Sequence, residues 1–182
     1  MEDIKPRLSE YKYNFFTRLQ NYLETELIFY GSIKRYDYFK ESSDIDMIVI
    51  TDNTNSTLSK LQNFLKLQKG EIQKLIQKFS YPDTNIINGH KIKYKDIEND
   101  IIMDILIYDE KYKTQVINNV NKSNLPTHMV ILMCIIKYLY YTLHIITRDM
   151  FLDIKNFLLT WHFTNKLNFN KKNYMTTIFL DE

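Results

Sequence analysis

From Ile101 to Tyr108 the chain is apolar at every position except Asp104. A short run of that kind reads as a central strand buried on both faces of a sheet. An acid in that setting needs a partner or a metal to remain ionised. A second strand has the same character, because Asp44-Ile45-Asp46 opens directly onto Met47-Ile48-Val49-Ile50. Strand side chains alternate with period two, so Asp44 and Asp46 share a face. Two like charges side by side cost free energy unless a cation lies between them.

The surrounding pattern supplies helices for the sheet. Leu8, Tyr11, Phe15, Leu19, Tyr22 and Leu23 recur at helical spacing, which predicts an amphipathic helix over about 7–25. Leu27–Tyr30 reads as a short strand ending at Gly31, and Ser32 is placed to cap a short helix from Ile33 to Phe39. Leu58 to Leu67 predicts a further helix. Beyond Gly70, the spacing of Ile72, Leu75, Ile76 and Phe79 predicts another, closed by Tyr81-Pro82-Asp83. Asn88-Gly89 is a turn signal, His90 to Ile97 alternates basic and apolar residues as a half-exposed strand does, and Glu98-Asn99-Asp100 is a second turn. After Pro126 come two apolar helices, about 127–146 and 149–165, and a tail whose residues 174–180 could add a strand. The fold class is therefore α/β (α+β): a mixed sheet flanked by helices over 1–122, then a helical C-terminal lobe over 123–182.

Composition narrows the chemistry. A net charge of +2 argues against nucleic-acid binding driven by charge alone, although Lys166, Lys171 and Lys172 form a local basic cluster. The single cysteine, Cys134, lies in an apolar run and excludes an intramolecular disulfide or a cysteine-rich zinc site. Four histidines, His90, His128, His144 and His162, lack metal-ligand spacing. The most apolar segment, Met129 to Ile146, is interrupted by Lys137 and His144, well short of the ~20 apolar residues a membrane span needs. No signal peptide is visible, and a soluble, cytoplasmic protein without a membrane association is expected.

Upstream of the paired acids, Tyr30-Gly31-Ser32 offers a glycine turn with backbone N–H groups and a hydroxyl where a phosphate can dock. This hydrophobic–Gly–Ser pair, a spacer, then Ser43-Asp44-Ile45-Asp46-Met47, and later Met103-Asp104-Ile105, resembles the DNA polymerase β-type nucleotidyltransferase superfamily. The likeness covers about residues 25–108 and is nearest to the minimal and aminoglycoside-type members. The length and the three acids are also similar to compact viral X-family polymerases. The glycine that members usually carry a few residues after Gly-Ser is absent, Arg35-Tyr36 standing there.

The resemblance implies a fold, a cofactor and roles. Asp44, Asp46 and Asp104 would be both catalytic and metal-binding, holding two Mg2+ ions, with Mn2+ as a substitute. Gly31 and Ser32, with Ser43, would bind the nucleoside triphosphate, ATP among the candidates. Lys34 and Arg35 would add charge to it, or else remain solvated helix residues. The implied reaction moves a nucleoside monophosphate onto an acceptor hydroxyl and releases pyrophosphate. The acceptor is open: a small molecule, a protein or a nucleic-acid 3′ end, the last making the chain a small polymerase or terminal transferase. A non-catalytic, antitoxin-like binding module is the alternative from another class, and the C-terminal helices allow a homodimer. Asp37, Glu41 and Asp100, which flank the motifs, read as surface charge.

Overall fold

Two of the expected strands, the acid-bearing ones, lie side by side as the second and third strands of a six-stranded sheet in the computed structural model. The structure describes residues 1–79, 85–122, 124–167 and 177–180; the side chains of 69, 78, 79, 85, 122, 163–167 and 177–180 are not described. The strands are β1 (Leu27–Tyr30), β2 (Ile45–Thr51), β3 (Ile72–Phe79), β4 (Asn85–Asp96), β5 (Ile101–Asp109) and β6 (Thr177–Leu180). Their order is β1-β2-β5-β4-β3-β6. β2 and β5 run parallel, and the other neighbouring pairs are antiparallel.

The helices are α1 (Glu10–Leu23), α2 (Thr54–Leu65), α3 (Lys113–Lys122), α4 (Thr127–Tyr141) and α5 (Arg148–Leu167). Ser9 caps α1, its hydroxyl accepting from the Lys12 N–H, and Asn53 caps α2 by accepting from the Ser56 N–H. The apolar stripes of α1 and α2, including Phe16, Leu19, Leu23, Leu61 and Leu65, are buried on one face of the sheet against Phe29, Met47, Val49, Ile105 and Ile107. On the opposite face, Val116 of α3 is buried with Ile48, Ile50, Leu106 and Tyr108. Burying each such side chain contributes about 1.5–3 kcal/mol. This second face carries the acids.

Several expectations are corrected. Residues Ile72–Phe79 form β3 and not a helix. Apolar residues at 72, 75, 76 and 79 fit a helical period, yet the segment has ladder partners on both sides, β4 and β6. Leu75 and Gln77 are buried by alternation, and Gln77 accepts from the Tyr108 hydroxyl. Asn88-Gly89 lies inside β4 and not in a turn, because Gly89 pairs with Tyr108 and leaves room for its ring. A Cβ at Gly89 would fall 2.8 Å from that ring and from the Ile107 carbonyl oxygen.

Gly31–Lys34 makes one short 3-10 turn with Ser32 inside it, not a Ser32-capped helix running to Phe39. The chain leaves helical geometry at Arg35 because Asp37 turns into the core. Helix α4 ends at Tyr141, earlier than expected, and α3 has no counterpart among the expected elements. The tail supplies β6, which pairs with β3. Tyr81-Pro82-Asp83, Lys171 and Lys172 lie outside the described residues, as does the side chain of Lys166. No described helix is long and apolar enough to cross a membrane.

Candidate active site

Three strands place one side chain each in a lateral row. Tyr30 of β1 stands opposite Asp46 of β2, and Asp46 stands opposite Asp104 of β5. Direct partners point to the same face, so a phenol and two carboxylates are neighbours there. Asp44 sits one residue before β2, exposed, and by alternation on the same side. Tyr30 packs against the cluster that contains Val116 of α3.

The electrostatics of the row are out of balance. Burial first, and then the charges of Asp104 and Asp44, push the Asp46 carboxyl up to about 6, against a partial offset from Lys155 and Lys91. The same low-dielectric setting, with Asp46 and Asp104 beside it, drives the Tyr30 phenol upward. Tyr38 is pushed up to about 12 by burial and then by Asp100 and Asp44, and its hydroxyl is a buried group without a partner among the described residues. Tyr141, at the end of α4, is likewise raised by burial and then by Asp44.

The glycine of the turn is required by this row. Gly31 has φ +73, in the left-handed region, and an added Cβ would meet the Asp46 carboxylate oxygen at 2.5 Å. The turn backbone therefore packs directly on the central acid. Ser32 is buried, with its carbonyl accepting from the Arg35 N–H at 2.8 Å.

Asp37 departs from its expected place at the surface. It is fully buried. Arg35 holds it with two N–H···O bonds of 2.8 and 3.0 Å, and the Lys137 ammonium of α4 stands 3.3 Å from the same carboxylate. Burial alone would raise Asp37, but these partners win and lower it. Lys137 also donates to the Asp37 carbonyl at 2.7 Å and to the Ser43 hydroxyl at 3.4 Å. Ser43 in turn accepts from the Phe39 N–H. One buried lysine thus ties α4 to the loop that ends at Asp44. Asp100 is also engaged, since buried Lys12 pairs with it at 2.8 Å.

The structure thus brings Gly31, Asp46 and Asp104 together, with Asp44 near them in charge. Ser43 is spoken for by the loop. Lys34 pairs with Asp3 at 3.2 Å and Arg35 with Asp37, so among the described residues no hydrogen bond or ion pair joins either to the acid row. Three residues of the site carried no sequence signal. Lys91 of β4 pairs with the Asp104 carboxylate, Lys155 of α5 acts on Asp46 through its charge, and Lys137 looked like an interruption of an apolar helix.

The donor chemistry of the row suits a hard divalent cation: carboxylate oxygens only, crowded, with the central one raised for want of positive charge. As the side chains stand, no three described His, Cys, Asp or Glu residues converge on one metal position, and Lys91 meets part of the demand at Asp104. Concavity does not mark this site. A hollow of about 390 Å³ is lined by Gln20 to Glu26 at the end of α1, and one of about 180 Å³ by Thr54, Gly89, His90 and Asp109. Neither contains an acid of the row. The charge pattern is the better guide, since an open sheet face gives no enclosed volume.

A family model described as a nucleotidyltransferase domain matches residues 13–122. No curated protein matches the chain. Among solved structures, one titled "structure of GLD-2/RNP-8 complex" is similar at 16% identity and a TM-score of 0.32. The likeness covers 73% of this chain and 42% of that one, so the chain spans less than half of that neighbour's length.

Proposed function

The chain belongs to the nucleotidyltransferase domain family, and from that premise we propose that it is an active transferase of the EC 2.7.7 type. It moves a nucleoside monophosphate from a triphosphate onto an acceptor hydroxyl and releases pyrophosphate. The observation that carries this reading is the row of Asp46 and Asp104 in register, with the Gly31 backbone packed on the Asp46 carboxylate. A structural acid would be compensated where it stands, as Asp37 is, whereas Asp46 is raised by burial and then by its acidic neighbours.

Asp44, Asp46 and Asp104 would hold Mg2+, or Mn2+ in its place. When bound, the metal supplies positive charge to the phosphates and lowers the pKa of the attacking hydroxyl. The backbone N–H groups of the Gly31-Ser32 turn, which packs on Asp46, would donate to the phosphate oxygens. Lys155 adds charge from α5, and Tyr30 shields one flank of Asp46 from water. Lys34, whose exposed pair with Asp3 is weak, is free to turn to the triphosphate; Arg35 serves through Asp37. The catalytic unit is 1–122, and 123–182 contributes the α4–α5 hairpin.

The test is transfer from each of the four α-labelled nucleoside triphosphates, with Mg2+ or Mn2+, into separate pools of RNA, primed DNA, protein and aminoglycosides. Label in one pool, lost in Asp46→Asn, is the expected result. No label in any pool, with nucleotide binding indifferent to Asp46→Asn, would sink the catalytic reading and favour the antitoxin-like module. A homodimer through the hairpin is supported by the exposed stripe Ile131, Ile135 and Tyr138 of α4, and sedimentation of wild type against Ile135→Glu tests it.

A further inference from the structure

We infer that the acceptor is a single-stranded nucleic-acid 3′ end, guided to the acids by a lysine stripe on β4; this rests on the transferase reading above. The sequence His90-Lys91-Ile92-Lys93-Tyr94-Lys95 runs through an unbroken ladder, with Lys93 opposite Asp104 and Lys95 opposite Ile102. Alternation puts Lys91, Lys93 and Lys95 on the face of Asp104, while Ile92 is buried and Tyr94 half-buried on the face that α1 covers. The contact of Lys91 with Asp104 fixes that assignment.

β4 has β3 beside it only as far as Ile92, so at Lys93 and Lys95 its one ladder partner is β5. Here Lys93 and Lys95 are exposed, so this part of the sheet is an open platform. Neither lysine has an ion pair among the described residues, and Lys91 already answers Asp104. Lys93 and Lys95 are therefore exposed cations beside the acid row with no fixed ion-pair partner among the described residues, in a chain whose net charge is only +2.

Position decides its role. The Gly31-Ser32 turn borders the acids on the β1 side, and the stripe borders them on the opposite, β4 side. If the triphosphate lies on the turn, the acceptor hydroxyl must come from the other direction, over Asp104. Alternate residues of a strand are about 6.6 Å apart, which sets a regular row of charges for a repeating anion. A small uncharged acceptor would gain nothing from such a row. A chain of phosphates ending in a free hydroxyl would gain at each step.

The experiment uses the full chain and its Lys93→Gln/Lys95→Gln variant, leaving Lys91 in place. Fluorescence anisotropy reads binding of a 5′-labelled single strand of about 12 nucleotides, as RNA and as DNA, across a salt series. Wild type should bind with a steep salt dependence. The variant should bind about tenfold more weakly, with the logarithmic slope smaller by about 1.4, or ~0.7 per lost phosphate contact. Binding of a fluorescent ATP analogue with Mg2+ should not change. Equal oligonucleotide binding by both proteins, or a preference for polyglutamate over either oligonucleotide, overturns the inference, the second in favour of an acidic protein acceptor. Lysine-dependent oligonucleotide binding with no transfer at all would remove the transferase reading and leave the stripe standing. Label on a small acceptor at equal rates in both proteins would do the reverse.

Discussion

Asp37 and Asp46 are two acids withdrawn from water within one loop and strand, and the protein treats them in opposite ways. Asp37 is fully buried and lowered, because Arg35 and Lys137 surround it with hydrogen bonds and charge. Asp46 is raised to about 6 by burial and then by the charges of Asp104 and Asp44, with only a partial offset from Lys155 and Lys91. Desolvation acts on both in the same direction, so the difference comes from partners. A neutralised acid holds a loop in place. An acid crowded by others gains from any cation that binds beside it.

The largest effect should come from the row. Asp46→Asn or Asp104→Asn is expected to lower turnover at least about a thousandfold, on the scale lost when a transition-state charge stabiliser is removed. Melting temperature should hold or rise in Asp46→Asn, because a repelling charge has gone. Turnover within tenfold of wild type would break the contrast with Asp37. Next comes Lys137→Met, which strands Asp37 with half of its compensation. Removing one partner of a buried pair costs about 3–5 kcal/mol, visible in chemical denaturation. Adding Asp37→Asn should restore much of that loss, and a cycle showing no coupling would mean that Lys137 acts only through its carbonyl contact. Gly31→Ala should follow. It forces a side chain into the left-handed region at about 1–2 kcal/mol and pushes on Asp46, so transfer should fall more than stability.

The same contrast explains what could be read from sequence. The acid row was legible because period-two alternation and an apolar run are local signals, and they placed Asp46 and Asp104 on strands before any contact was known. Asp37 was not legible. Its partner Lys137 is 100 residues away, and nothing near Asp37 distinguishes it from a surface charge. β3 is not legible for a related reason: a period that suits a helix is overruled by ladder partners on both sides, one of them the distant β6. Lys91 and Lys155 became site residues only when strand order and the hairpin brought them near the acids.

The smallest effect is the pH dependence of stability, where the two acids should pull in opposite directions. Asp37 is lowered in the fold, so its contribution is present above the ordinary carboxylate range and is lost as pH falls through its folded value. Asp46 is raised, so between about pH 4 and its folded value near 6 the native state holds more protons than the unfolded chain. Stability attributable to Asp46 therefore falls as pH rises across that window, by at most about 3 kcal/mol, and is flat above it. Denaturation midpoints at pH 4, 5, 6 and 7.5 should show this fall in wild type and not in Asp46→Asn. Millimolar Mg2+ should cancel the fall in wild type by binding the ionised row, and leave the variant nearly unmoved. A wild-type curve that rises monotonically from pH 4 to 7.5 without metal would mean that Asp46 is compensated after all, and that the two acids differ in address but not in kind.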